Sequence, residues 1–79
     1  MAKPLIYADF NNADSGGRLR LNCVGTIEDL ARLGVRLHEG LEVTLHDEGV
    51  QAEGEVLYSD DERIWVARID WESVRQTIA

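Results

Sequence analysis

One cysteine, one proline and few bases are the scarcities of this chain. With Cys23 alone, no internal disulfide can form. Small secreted domains usually need such staples, so a reducing cytoplasm is the expected compartment. No stretch is long and apolar enough to span a bilayer. Met1 to Leu5 carries no charged segment followed by an apolar run, so no signal peptide is expected. Eight Lys and Arg stand against 15 Asp and Glu, a net charge of -7. Such a surface repels phosphate, which argues against direct nucleic-acid or anionic-lipid binding and suits a basic partner.

The imbalance is uneven. Residues 1–37 hold five bases and four acids, whereas residues 38–79 hold three bases and eleven acids. At 79 residues and 44% hydrophobic the chain is one small domain, residues 1–79, with a modest core.

What is present is mostly strand. Ile64 to Trp71 contains both tryptophans. Trp65, Ala67, Ile69 and Trp71 share one face, while Ile64 and Val66 begin the other. A strand apolar on both faces needs cover on both, which predicts a place near the centre of a small sheet or barrel.

Upstream, Pro4 to Asp9 reads as a strand and Phe10 to Gly17 as a polar loop. Arg18 to Val24 alternates, with Leu19, Leu21 and Cys23 inward and Arg18, Arg20 and Asn22 outward; Gly25 ends it. Thr26 is the expected N-cap of a helix over Ile27 to Leu33, with Glu28 and Asp29 at its positive end and Gly34 as its left-handed terminator.

Leu41, Val43 and Leu45 form the buried face of a third strand. Asp47-Glu48-Gly49 is a hairpin turn, and Val50 to Tyr58 returns. Gly54 inside that strand suggests a bulge or a sharp bend. Ser59 to Glu62 turns into the tryptophan strand. Asp70 then looks like the cap of a last short helix carrying Trp71, Val74, Arg75 and Ile78 as a stripe, with Trp71 anchoring it to the sheet.

Five short strands with hairpin turns predict a mainly β fold. It is a five-stranded SH3-like barrel or strongly bent antiparallel sheet, with a short helix after strand 2 and a short C-terminal helix. The alternative is an open sheet with both helices on one face.

Chemical motifs are few. Cys23 sits on the apolar face with Leu19 and Leu21, so it reads as a buried, inert thiol. His38 and His46 lack zinc-ligand spacing. Asp9 to Asp14 glances at a calcium loop, but glycine is missing at the sixth position and Arg20 stands where the last glutamate belongs. Gly16-Gly17 lacks the Lys-Ser/Thr of a phosphate loop. Asp60-Asp61 lies in an exposed turn without the desolvation a general acid needs. The expectation is therefore no enzyme, no metal and no cofactor.

The remainder is aromatic: Tyr7, Phe10, Tyr58, Trp65 and Trp71. Most belong to a core in a chain this small. An aromatic beside carboxylates, however, suits a cation. The candidate site for a basic partner is Phe10 and Tyr58 with Asp14 and Asp60 at the rim. An alternative is an acidic decoy of a nucleic-acid-binding protein, its ridge formed by Glu53, Glu55, Asp60, Asp61 and Glu62.

Leu5-Ile6-Tyr7-Ala8-Asp9-Phe10 resembles the Ala-Leu-Tyr-Asp-Tyr opening of peptide-binding SH3 domains. It departs in the inserted Ala8, the missing tandem tryptophan and the missing later proline. Arg18-Leu19-Arg20-Leu21-Asn22, Gly25-Thr26-Ile27-Glu28-Asp29-Leu30, Glu39-Gly40-Leu41 and Trp65-Val66-Ala67-Arg68-Ile69-Asp70-Trp71 resemble stretches of small bacterial proteins of unknown function. That resemblance covers most of the chain and implies no activity. The resulting expectation is a soluble cytoplasmic interaction or accessory module.

Overall fold

The computed structural model describes residues 3–77. Its strands are β1 (Leu5–Tyr7), β2 (Leu19–Arg20), β3 (Glu42–Asp47), β4 (Val50–Ser59), β5 (Ile64–Ile69) and β6 (Arg75–Gln76). One α-helix, α1, covers Val24–Leu33, and a single 3-10 turn covers Trp71–Ser73. None of the described helices is long and apolar enough to cross a membrane.

The fold is mainly β, and the sheet runs β1-β3-β4-β5-β2, with β6 added beside the start of β4. It does not close into a barrel. The reason lies at its two edges. The outer edge of β2 is occupied by the preceding loop, where Arg20 donates to the Asn12 carbonyl and Asp14 to the Arg18 carbonyl. At the outer edge of β1, α1 takes the amide and carbonyl of Tyr7. With these groups in place, β1 and β2 do not pair.

The sheet is also not wholly antiparallel. β1 pairs parallel to β3, Leu5 opposite Thr44 and Tyr7 opposite His46. Parallel neighbours need a long crossover, and here it contains the loop, β2 and α1.

The alternation patterns read from sequence do set the core. Ile6, Ala8, Leu19, Leu21, Val43, Leu45, Ala52, Val56, Ala67 and Ile69 form one buried cluster, with Leu30, Leu37, Leu41, Trp65 and Val74 packed against it. The tryptophan strand has β4 on one side and β2 on the other. Its second face is covered too: Val66 is fully buried, beside its register partners Arg20 and Leu57. Gly54 makes no bulge. It stays in register with both Val43 and Ile69. A Cβ there would lie 3.1 Å from Ile69 Cδ1 and 3.2 Å from the Arg68 carbonyl oxygen, so the residue serves close approach rather than a break.

Helix α1 begins three residues earlier than expected. The alternation of residues 18–24 ends as a ladder after Leu21, whose amide donates to the Trp65 carbonyl, and the chain winds from Val24. Cys23, not Thr26, is the N-cap, and its side chain makes no capping bond. Gly25 therefore lies inside the first turn. A Cβ on it would come within 2.7 Å of the Tyr7 ring. Gly34 terminates the helix in the left-handed conformation at φ 67°, and Val35 donates to the Leu30 carbonyl, a Schellman ending.

The predicted C-terminal helix shrinks to the 3-10 turn. Asp70 does cap it, accepting from the Glu72 amide at 3.1 Å. The chain then leaves as β6, so the stripe through Val74 and Arg75 is not helical. Ile78 falls outside the described residues.

Candidate functional site

The four residues singled out for a basic partner are divided between two ends of the sheet. Phe10 is half-buried, with its ring edge-on to Trp71 at a centroid distance of 6.4 Å. Tyr58 is edge-on to Trp65 at 5.1 Å. Trp65 lies near the start of β5, and Trp71 follows its end. At ~3.3 Å per residue, Trp65 and Ile69 alone are roughly 13 Å apart. Phe10 and Tyr58 are thus not brought together.

Asp14 is not a rim carboxylate either. Its side chain is 5% exposed and forms an ion pair with Arg18 at 2.9 Å. It also accepts from the amides of Gly16 and Arg18. The Arg18 amide, with help from the Gly16 amide and the Arg18 charge, holds this carboxyl below the ordinary aspartate range against the opposing effect of burial. Asp14 organises the loop. Asp60 is exposed in the turn beyond Tyr58.

The largest apolar side chain left half in water is Trp71, at 50% exposure. Sequence periodicity assigned it to the core face with Trp65, Ala67 and Ile69. The signal that it leaves that face was Asp70: a cap ends the strand before the alternation reaches Trp71. The exposed acids Asp70 and Glu72 flank it in the chain. Phe10 meets it in a T-shaped contact, and Gly17 lies close enough that a Cβ there would sit 3.7 Å from the indole nitrogen.

The charged side chains of β2 and β4 are each neutralised locally. β5 separates those strands, so they do not neutralise each other. Arg20 instead meets Glu62 through a two-pronged contact of 2.7 and 2.8 Å. Glu53 meets Lys3 at 3.0 Å and Arg75 at 3.2 Å, and Glu55 meets Arg68. Three members of the supposed decoy ridge, Glu53, Glu55 and Glu62, are therefore held by bases. Arg36 and Arg63 have no ion-pair partner among the described residues.

The densest polar cluster joins α1 to β1 and β3. Asp29 Oδ2 accepts from the Tyr7 amide at 2.8 Å and lies 3.3 Å from His46 Nε2; Oδ1 accepts from Arg32 at 3.1 Å. Burial opposes ionisation of Asp29, yet these donors outweigh it and lower its pKa. Fully buried Thr26 donates its hydroxyl to the Tyr7 carbonyl at 2.6 Å. With that proton committed, the Cys23 thiol 2.9 Å away is the donor to Thr26 Oγ1. Asp47 accepts from the amides of Phe10 and Glu48. Burial pushes its carboxyl up, but those amides, the Tyr7 hydroxyl and His46 bring it below its ordinary value.

The sequence places Asp29 at the positive end of the helix and gives His46 no zinc-ligand spacing. Both bind elements together. The arrangement satisfies the backbone of a strand edge, with the Thr26 hydroxyl occupied and buried rather than presented for reaction. Among the described residues, no group of three or more His, Cys, Asp or Glu side chains could hold a metal ion.

Comparison with known proteins adds no relative: no family model, no curated protein and no solved structure matches the chain.

Proposed function

We propose that the protein is a non-catalytic interaction module that binds a basic protein or peptide through the surface around Trp71. The observation that carries this reading is an indole left half in water between two exposed acidic residues of the chain, Asp70 and Glu72. Indole is the most favourable aromatic partner for a cation, and adjacent acids add attraction for Lys or Arg. The net charge of -7 favours the same class of partner at longer range. Phe10, a binding aromatic in the expectation from sequence, here is the wall against Trp71. Tyr58 and Asp60 belong to the far end and do not enter this surface. No observation favours the decoy, because most of its ridge is ion-paired. The proposal extends to a bacterial cytoplasm, on the lone thiol and the stretches shared with small bacterial proteins of unknown function.

Titration with oligo-arginine, read by tryptophan fluorescence, tests the reading. Saturable quenching should appear, weaken with salt and vanish in Trp71→Phe, which leaves Trp65 as the only tryptophan. Trp71→Ala combined with Glu72→Gln should likewise weaken capture of a basic partner from the native cell. Quenching that persists in Trp71→Phe, or strengthens with salt, refutes it.

A further inference from the structure

The outer edge of β1 has a covered half and an open half. Thr44 donates to the Pro4 carbonyl, and Ala8 donates to the His46 carbonyl. Even-numbered residues therefore face β3, and the amide and carbonyl groups of Leu5 and Tyr7 point away from it. At Tyr7 both outward groups are taken by α1, through Asp29 and Thr26. At Leu5, no described residue bonds to either group.

The helix runs beside this edge from Thr26 and Asp29 near Tyr7 to Leu33 near Leu5. Gly34 then turns the chain away. What remains is a groove of ≈ 440 Å³ lined by Lys3, Pro4, Leu5, Arg32, Leu33 and Val35. Leu5 is 44% and Leu33 41% exposed. The volume lies within the ~300–1,000 Å³ of ligand clefts. An open strand edge over apolar side chains is a template for another strand, and proteins usually blunt one.

The rim carries cations in an otherwise acidic chain. Lys3 is tied to Glu53 and Glu42. Arg32 bonds Asp29 through one terminal nitrogen, and its side chain is 65% exposed. Its remaining donors can meet a carboxylate.

We propose that this groove binds an extended peptide segment that pairs with Leu5 as an added strand. An apolar side chain packs on Leu5, Leu33 and Val35, and a neighbouring carboxylate meets Arg32. This is a second docking surface, independent of Trp71 and opposite in charge preference. Main-chain bonds supply affinity and the groove supplies selectivity, as in other strand-addition complexes. A second copy fits less well, because two-fold pairing of β1 edges would bring Lys3 and Arg32 of both copies to one seam.

The test uses the full chain, labelled for amide NMR, and two acetylated pentapeptides, Glu-Leu-Glu-Val-Glu and Lys-Leu-Lys-Val-Lys. The acidic peptide should shift the amides of Leu5, Leu33 and Val35 saturably. Arg32→Gln should weaken it about fivefold. Leu5→Pro should abolish it, since it removes the outward amide and leaves the β1–β3 ladder intact. If Leu5→Pro disturbs the fold, Arg32→Gln and the lysine peptide still decide. The proposal is overturned by the absence of saturable shifts at millimolar peptide, by equal binding of the lysine peptide, or by shifts centred elsewhere. Concentration-dependent shifts at Leu5 without peptide would assign the edge to a second copy and overturn it as well.

Discussion

Replacing Thr26 by valine isolates the bond that ends the sheet at β1. Valine nearly preserves the shape of threonine but cannot donate. Thr26 is fully buried and donates to the Tyr7 carbonyl at 2.6 Å. In the variant that carbonyl loses its partner where water does not readily replace it, and the Cys23 thiol loses its acceptor. An unsatisfied buried group costs about 1–3 kcal/mol. A domain this small has roughly 4–12 kcal/mol in total, so the loss is a sizeable fraction. With a urea slope of about 1 kcal/mol per molar, the unfolding midpoint should fall by about 1–3 M. Thr26→Ser is the control. It keeps the hydroxyl and removes one buried methyl, for about 1 kcal/mol. Amide exchange separates the two effects: exchange at Tyr7 and in the first turn of α1 should quicken in Thr26→Val and stay near wild type in Thr26→Ser. A Thr26→Val protein as stable as wild type, with Thr26→Ser the weaker of the two, would refute the reasoning. It would mean that the methyl and not the hydroxyl holds the helix.

Gly25→Ala should lower the thermal midpoint even though alanine favours helix by about 1 kcal/mol. The added Cβ falls 2.7 Å from the Tyr7 ring, and that ring is held edge-on to His46; a raised midpoint would contradict the packing. Asp14, Asp29 and Asp47 all have pKa values lowered in the folded state, so the unfolded chain takes up protons before the folded one as pH falls. Their contribution is complete above the unfolded aspartate pKa of about 3.9 and is lost as pH drops through the folded values. Urea midpoints measured from about pH 5 downward should decline accordingly, and Asp29→Asn should flatten that decline. Trp71→Ala should cost about 1–2 kcal/mol in chemical denaturation, because only half of the indole is buried. A cost near the 3–5 kcal/mol of a core tryptophan would show that Trp71 anchors the fold rather than presenting a surface.

Periodicity alone determined which residues are inside. Val43 and Leu45, Ala52 and Val56, Ala67 and Ile69 are buried where alternation put them, because the two faces of a strand follow from covalent geometry. Local backbone chemistry was legible as well: Gly34 at the helix end, Glu48-Gly49 in the hairpin and Asp70 as a cap all act through neighbours a few residues away. The tertiary structure decided everything that depends on distant partners. Residues 22–24 continue an alternating pattern, yet they leave the ladder and wind into α1, which carries Thr26 and Asp29 to the unpaired edge of Tyr7. That edge cannot be seen in the sequence, because nothing local says that β1 pairs parallel to β3 across a long crossover. The same holds for the candidate site. Phe10 and Tyr58 look equivalent in the chain, but the length of β5 separates them. Asp14 looks like an available acid until Arg18 and two backbone amides occupy it. Trp71 looks like the fourth residue of a buried row until Asp70 ends the strand one residue before it.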